Sequence, residues 1–314
     1  MDILIDRERD GITVLQYIKK YLPISSAHLK HLKFSEGGIL VNSEHATVRR
    51  ILREGDILSL ATEDRDADCH ARPCDLPIDI IYEDEELIVP SKPAFMPTHP
   101  SHDHYDDTVA NALAYRFGKL GIPFVFRPIN RLDRNTSGLL LIAKNRISAG
   151  RLSRAMVDGE IKKAYIAVLC GTLPEDEGII ETYMRRTAES IIVRENCRDG
   201  EGGDYALTRY RTLLKSSDFS VVAASPVTGR THQLRVHFAG LGAPILGDDM
   251  YGTPSHLIDR HALHSTALSL PDKDRRVLTL CAPLPEDMKR AIFTLFGEDT
   301  DLSQLQEACK GLLI

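Results

Sequence analysis

The sequence predicts an α+β fold in which a mixed, mainly antiparallel sheet forms a large domain and a small α/β module precedes it. Strand-like segments follow one another without intervening helices over much of the chain, which disfavours a doubly wound sheet. A polar, aperiodic stretch at 62–77 separates two apolar regions. The 314 residues, 43% hydrophobic and 27% charged, suit one large domain or two unequal ones.

The first 61 residues are predicted to form a small module. Thr13 is a candidate N-cap for a helix with apolar residues along one face, and Ser25 or Ser26 is a candidate cap for a second helix. Short strands are predicted at 39–41 and 57–60. We therefore expect two short helices followed by short strands.

Beyond a linker at 62–77, the elements of a large domain at 78–297 follow, and 298–314 is expected to be a C-terminal tail. Asp107 and Thr231 are candidate caps for two helices, a helix is expected at 148–156, and Pro285 opens another. Strands are predicted at 78–82, 87–89, 139–143, 161–169, 190–195, 208–214, 219–224, 263–270 and 277–281.

Composition argues against a secreted or membrane protein. The opening MDILIDRERD has no basic region followed by an apolar stretch, so no signal peptide is predicted. No run approaches the length of about 18 apolar residues that a membrane-spanning helix needs. The six cysteines are scattered without a CxxC pair, which indicates reduced thiols. We expect a cytoplasmic protein.

The charge distribution favours contact with nucleic acid in one region. The net charge of −6 would argue against it, but 127–154 contains seven basic residues and a single acidic residue, Asp133. Binding depends on the local field and not on the total. We therefore expect RNA contacts from the basic residues Arg131, Arg134, Arg151 and Arg154.

The segment 127–145, RPINRLDRNTSGLLLIAKN, contains the clearest candidates for catalytic side chains. Arg131, Asp133 and Arg134 lie in a polar turn just ahead of an apolar strand. A carboxylate held between guanidinium groups is ionised at neutral pH. It could act as a nucleophile, a general base or a metal ligand, and a structural Asp–Arg pair is the alternative.

The sequence RLDRNTSGLLL resembles the catalytic motif of the RluA family of pseudouridine synthases, in which the Asp attacks the target uridine. Segments 80–101, 162–171 and 226–252 resemble three further motifs of that family, in the family's order. The resemblance implies the pseudouridine synthase fold, isomerisation of uridine in RNA and no cofactor. Whether the carboxylate attacks the ribose, attacks the base or abstracts a sugar proton stays open.

The resemblance also implies roles for single residues. Asp133 is then the nucleophile, Tyr165 the ring that stacks on uracil, and Arg230 the buried partner that keeps the carboxylate charged. Arg131 resembles the arginine that enters the space left by the flipped base, with a phosphate contact as the alternative. Asn130 stands where the family usually has His, and we expect it to contact RNA.

The first module has its own resemblance. Two short helices with GGILVN and REGDIL resemble the alpha-L RNA-binding domain. This implies RNA contacts from Lys30 and Lys33 on the second helix. It favours ribosomal RNA as the substrate, while transfer RNA remains open. A monomer is the expectation drawn from the family.

Three groups of potential metal ligands are interpreted as holding no metal. Cys69-His70 with Cys74 lacks a second ligand pair, and His232 with His237 has poor spacing. The other group is interpreted as a polar loop that ends in the cap Asp107, and it contains His99, His102, Asp103, His104, Asp106 and Asp107.

Two rival functions remain. A noncatalytic RNA-binding protein could keep the fold, but it would not need Asp133, Tyr165 and Arg230 together. A glycosidase needs paired carboxylates, and 127–154 offers only Asp133.

Overall fold

The structure is a computed structural model that describes residues 1–22, 24, 26–35, 37–61, 71–190 and 192–313; of residues 26–28 and 31 it describes the backbone alone. The candidate cap Ser25 and the candidate ligands Cys69 and His70 therefore lie outside the described residues. Within the described part of the chain, no helix combines the length and apolar character needed to cross a bilayer.

The N-terminal module contains a four-stranded antiparallel sheet in the order β1-β4-β2-β3 and two helices. As predicted, Thr13 caps the first helix: its hydroxyl accepts from the backbone N–H of Gln16 at 3.2 Å, and Gln16 Oε1 accepts from the N–H of Thr13 at 2.8 Å. The elements are β1 (Asp2–Leu4), α1 (Val14–Tyr21), α2 (Ser26–Phe34), β2 (Ile39–Val41), β3 (Glu44–His45) and β4 (Ile57–Leu60).

The rest of the chain is built on one twelve-stranded sheet with the central order β12-β11-β13-β14-β10-β15-β8-β6-β9-β7; β16 pairs with β15 and β5 with β6. The β15–β8 pair is parallel and the other pairs are antiparallel, which confirms the α+β, mainly antiparallel prediction. The strands are β5 (Asp79–Glu83), β6 (Leu87–Lys92), β7 (Arg127–Pro128), β8 (Ser137–Leu139), β9 (Ile142–Ala143), β10 (Lys162–Cys170), β11 (Glu177–Arg186), β12 (Arg194–Cys197), β13 (Asp204–Lys215), β14 (Phe219–Pro226), β15 (Leu263–Pro271) and β16 (Val277–Cys281).

Two predicted helix caps are wrong. Thr108, and not Asp107, caps α3: its hydroxyl accepts from the N–H of Asn111 at 3.3 Å. At the next predicted cap, His232 and not Thr231 precedes the helix, with a left-handed φ of 60° and no side-chain cap. The helices of this part are α3 (Val109–Lys119), α4 (Arg146–Val157), α5 (Gln233–Gly240), α6 (Glu286–Phe296) and α7 (Leu302–Lys310).

The segment predicted as a C-terminal tail is helix α7 and belongs to the main core. Leu305 is 5% exposed and Cys309 is completely buried, and both pack in the same apolar cluster as β10, β14 and β15. Apolar side chains at helical spacing turn this short helix towards the sheet.

The C-terminal part of the predicted linker packs against α3, and the N-terminal module contacts the large domain through α4. The side-chain amide of Asn111 in α3 donates to the carbonyl of Arg72 at 2.7 Å. The backbone carbonyl of Asn111 accepts from the N–H of Cys74 at 3.2 Å. Ile147 of α4 is 7% exposed and packs in the apolar cluster of the N-terminal module. The module and the large sheet therefore share an apolar contact at α4.

Candidate active site

An open cleft with a cavity volume of about 90 Å³ lies where the catalytic loop (residues 130–136) faces β10 and the start of α5. The loop connects β7 to β8, so its ends are fixed in the sheet. Asp133, Tyr165, Arg131 and Arg230 all line this cleft, as do Lys163 and Arg235. The structure thus brings together residues that are far apart in sequence.

Asp133 is accessible and faces positive or polarisable groups. Its side chain is 29% exposed, with Oδ2 3.9 Å from Arg235 Nη1 and 4.0 Å from His232 Nε2. Both distances exceed a hydrogen bond. The carboxylate oxygens can therefore contact a bound molecule, and the positive charge of Arg235 remains close to them.

The expected buried pair between Arg230 and Asp133 is wrong. Arg230 is exposed at the rim of the cleft, and its Nε donates to the carbonyl of Tyr205 at 2.9 Å. Arg235, which is 4% exposed, is the arginine that faces Asp133. The left-handed backbone at His232 turns the chain into α5 and directs residue 235 inwards.

Arg235 is held by a second carboxylate. Its Nε and Nη2 donate to the two oxygens of the buried Asp248 at 2.7 Å each, which is bidentate geometry. Burial opposes the charge of Arg235, but the bonds to Asp248 outweigh it and raise the arginine pKa. Burial likewise opposes the charge of Asp248, but bonds from Arg235 and from the N–H groups of Tyr251 and Met250 lower its pKa. The guanidinium is thus oriented before substrate binds.

Tyr165 lies on β10 with 7% of its surface exposed, at the wall of the cleft. Burial raises the pKa of Tyr165 to about 12, with a smaller contribution from the charge of Asp133. The phenol is therefore protonated at neutral pH and its hydroxyl can donate a hydrogen bond. Burial lowers the pKa of Lys163 on the same strand.

The carbonyl groups of the catalytic loop are bound by side chains from three other segments. A loop whose carbonyls are satisfied in this way has one preferred conformation. The pairs are Leu132 O with Thr98 Oγ1 at 3.2 Å, Arg134 O with Lys92 Nζ at 2.9 Å, and Asn135 O with Arg260 Nη1 at 3.0 Å.

Lys92 has an unusual environment for a lysine. It is completely buried, and its ammonium also donates to the carbonyls of Pro93 and Met96 at 2.9 Å each. Burial lowers the pKa of Lys92 to about 7, and the charge of Arg260 adds to this effect. The sequence patterns did not identify Lys92, Arg235 and Asp248 as site residues. Two features of the sequence could have indicated them: a lysine within the apolar strand β6, and an arginine and an aspartate in the segment 226–252.

The basic segment 127–154 is not a continuous free surface. Arg151 is bound by Glu86 at 2.5 Å and by the carbonyl of Pro271 at 3.1 Å, and Lys144 is bound by Glu83 at 2.9 Å. Arg154 is exposed but pairs with Asp158 at 2.7 Å. The cations of Arg151 and Arg154 are therefore paired with carboxylates of the protein, and their contact with RNA stays a prediction.

Of the other residues predicted to contact RNA, one is bonded within the protein and four are exposed. Asn130 Oδ1 accepts from the N–H of Leu141 at 2.7 Å, so this oxygen braces the loop against the sheet, and RNA contact by Asn130 stays a prediction. Arg131 and Arg134 are exposed on the catalytic loop, and Lys30 and Lys33 are exposed on α2. RNA contact by these four residues stays a prediction.

The histidine- and aspartate-rich segment is organised by internal pairs. His104 Nδ1 lies 2.6 Å from Asp107, His102 Nδ1 lies 2.9 Å from Asp103, and Asp106 accepts from Arg72 at 3.0 Å. Across the residues that the structure covers, no group of three or more His, Cys, Asp or Glu side chains is arranged to hold a metal ion.

Comparison with known proteins gives a consistent picture. A family model described as RNA pseudouridylate synthase matches residues 86–240, a range that includes Asp133, Tyr165 and Arg235. The chain is 36% identical over 282 residues to the "Uncharacterized RNA pseudouridine synthase YjbO" of Bacillus subtilis (strain 168), covering 90% of this chain and 98% of that protein.

Further relatives carry different names. The chain is 35% identical over 283 residues to the "Ribosomal large subunit pseudouridine synthase D" of Zymomonas mobilis, covering 85% of this chain and 88% of that protein. It is 31% identical over 247 residues to the "tRNA pseudouridine(32) synthase, mitochondrial" of Saccharomyces cerevisiae, covering 78% and 51%. The solved structure of human RNA Pseudouridylate Synthase Domain Containing 1 superposes with a TM-score of 0.57 at 28% identity, covering 74% of this chain and 95% of that one.

Proposed function

Since this chain belongs to the family of RNA pseudouridine synthases, we propose that Asp133 is the residue that attacks the target uridine. The observation that carries the proposal is the position of Asp133 in the cleft, where its carboxylate is 29% exposed and 3.9 Å from the fixed guanidinium of Arg235. A preorganised cation beside a reacting group stabilises the charge that develops in the transition state.

The isomerisation breaks the bond between ribose carbon 1′ and uracil nitrogen 1 and forms a bond from the same carbon to uracil carbon 5. Carbon 5 loses a proton and nitrogen 1 gains one, so no oxidant or outside group is consumed. The target base must leave the helical stack to reach the cleft. In this proposal Arg131, which is exposed on the same loop as Asp133, fills the space that the base leaves.

Tyr165 and Arg235 have separate roles in this proposal. The ring of Tyr165 forms a wall on which the detached uracil can stack, and its protonated hydroxyl can donate to a uracil oxygen or pass a proton. Arg235 supplies a fixed positive charge 3.9 Å from Asp133 without a hydrogen bond to it in the free enzyme. Arg230, at the rim, is assigned to RNA binding and not to the reacting atoms.

The test is Asp133→Asn, with Asp218→Asn as a matched control at an exposed site. Release of tritium from carbon 5 of uridine in transcribed RNA measures turnover. We expect Asp133→Asn to keep the fold and lose turnover, since the amide has no anionic oxygen, while Asp218→Asn keeps turnover. Substantial turnover by folded Asp133→Asn would exclude the nucleophile role, and a rate effect of deuterium at ribose carbon 2′ would instead favour proton abstraction from the sugar.

We further propose ribosomal RNA as the substrate ahead of transfer RNA, because the N-terminal module with its exposed Lys30 and Lys33 adds a second RNA-binding surface. The enzyme is proposed to act as a cytoplasmic monomer without a cofactor. Mapping of pseudouridines in cells that lack the protein would identify the site, and loss of a transfer RNA modification alone would reverse the order of preference.

A further inference from the structure

Phe95 occupies a backbone position that suits glycine. It lies in the turn at 94–95, after β6, with a φ of 65°. Bulky side chains seldom adopt this left-handed conformation, because their Cβ crowds the backbone. Such a residue persists where the surrounding structure holds it, and these positions are frequent at functional sites.

Phe95 lies outside the buried apolar clusters. Half of the residue is exposed to solvent, so burial of apolar surface does not explain a phenylalanine at a strained position. Tyr105, later in the same segment, is 63% exposed. The segment 94–105 therefore presents two aromatic rings outward.

This segment is fixed against the catalytic loop. The ammonium of Lys92 binds the carbonyl of Met96, next to Phe95, and the carbonyl of Arg134, next to Asp133. The side chain of Arg134 reaches the same segment, with Nη1 3.3 Å from His104 Nε2. Phe95 is thus tied to the residues that flank the nucleophile.

The charge of the segment permits an anionic partner. Of the carboxylates in the segment and directly after it, Asp106 pairs with the cation of Arg72, while Asp103 and Asp107 contact the imidazoles of His102 and His104. The neighbouring cations Arg131 and Arg134 are exposed. Exposed aromatic rings beside arginines are the arrangement by which proteins bind unstacked bases of single-stranded RNA.

We propose that Phe95 is a stacking residue for an unpaired RNA base next to the flipped uridine, with Tyr105 on the same surface. The inference rests on RNA as the substrate and on the cleft as the reaction site, but not on the chemical role of Asp133. It predicts that the enzyme recognises the target uridine within an unpaired stretch.

The test measures binding to a short oligouridylate, to a ribose-phosphate chain of equal length without bases, and to an RNA duplex. Phe95→Gly and Phe95→Asn both fit a left-handed position and lack the ring, whereas Phe95→Trp keeps a ring. We expect the first two to bind oligouridylate about tenfold more weakly, a loss of about 1.4 kcal/mol, since each lacks the ring on which one base stacks. Binding to the other two probes should be unchanged, and Phe95→Trp should bind oligouridylate like the parent.

Two controls accompany the binding test: the unfolding temperature of the variants, and a substitution at an exposed apolar residue far along the chain. Phe95→Gly should unfold at the same or a higher temperature than the parent, because it removes the backbone strain. Val277→Ala, at a 76% exposed position on β16, should leave all binding unchanged. Parent-like binding of oligouridylate by folded Phe95→Gly and Phe95→Asn, or equal losses on the chain without bases, would overturn the stacking role. Binding does not need turnover, so these outcomes are independent of the Asp133→Asn result.

Discussion

Among the cations that line the cleft, Arg235 is the one whose guanidinium group faces two carboxylates. Arg235 forms two hydrogen bonds to the buried Asp248 and leaves Nη1 near Asp133. Burial lowers the pKa of the nearby His232, which favours its neutral form, so of the two groups that face Asp133 it is Arg235 that carries a permanent positive charge. The exposed Arg230 has no comparable hold on Asp133.

We therefore predict that Arg235→Met lowers kcat at least about a hundredfold, a loss of roughly 2.7 kcal/mol of transition-state stabilisation. Arg230→Ala, the matched control, should raise KM for RNA and leave kcat nearly unchanged. Both constants follow from tritium release at several RNA concentrations. A larger fall in kcat for Arg230→Ala than for Arg235→Met would return the pairing role to Arg230.

Loss of Arg235 alone leaves Asp248 buried without its partner, which destabilises a protein by about 3–5 kcal/mol. The double variant Arg235→Met with Asp248→Leu removes both charges and should recover the unfolding temperature without recovering kcat. This comparison separates loss of the fold from loss of the site.

At the scale of elements, the parallel contact between β8 and β15 positions the end of the catalytic loop. Gly138 has a φ of 109°, and a Cβ there would lie 2.2 Å from the carbonyl oxygen of Ser265, so only glycine permits this approach. Two buried histidines reinforce the contact. They are His261, 2.8 Å from Thr136 Oγ1, and His264, 2.8 Å from Ser137 Oγ.

These histidines predict a loss of stability in acid. Burial lowers the pKa of His261 and of His264 from 6.5 to about 3. Below pH 6.5 the unfolded chain therefore binds protons that the folded protein does not. The free energy of unfolding should fall as the pH drops from 6.5 towards 3, by about 1.4 kcal/mol per pH unit for each histidine.

Urea unfolding at several pH values in this range measures the effect. His261→Gln with His264→Asn keeps an acceptor for each hydroxyl and cannot be protonated, so the double variant should show a flatter pH dependence. The exposed His45→Gln is the control and should behave like the parent. An unchanged slope in the double variant would assign the acid sensitivity to other groups, such as His237, whose pKa burial lowers to about 4.

At the scale of the whole molecule, two apolar cores meet at α4. Ile147 belongs to the cluster of the N-terminal module although it lies on a helix of the large sheet. Residues 71–77 are held against α3 through Asn111. The unit that carries the cleft thus begins nearer residue 71 than residue 78 and continues through α7.

We predict that a fragment of residues 71–314 carrying Ile147→Ser folds and keeps kcat on saturating RNA, while its RNA affinity falls about tenfold or more, a loss of about 1.4 kcal/mol. The substitution replaces the apolar side chain that removal of the module would expose. Full-length protein with Lys30→Ala and Lys33→Ala should reproduce part of the affinity loss, and Lys289→Ala is the control. A fragment that stays insoluble, or whose kcat falls with its affinity, would show that the two cores fold as one.

The sequence by itself determined the fold class, the family and the positions of Asp133 and Tyr165, because each depends on contiguous residues: strand periodicity, or a motif read along one segment. The tertiary structure decided that Arg235 and not Arg230 faces Asp133, because a left-handed residue at the start of α5 sets which arginine points into the cleft. It also decided that Arg151 is neutralised by Glu86 and that Asn130 turns inward to Leu141. These outcomes depend on partners brought from distant parts of the chain, and a side chain's charge and direction are set by those partners and not by its neighbours in sequence.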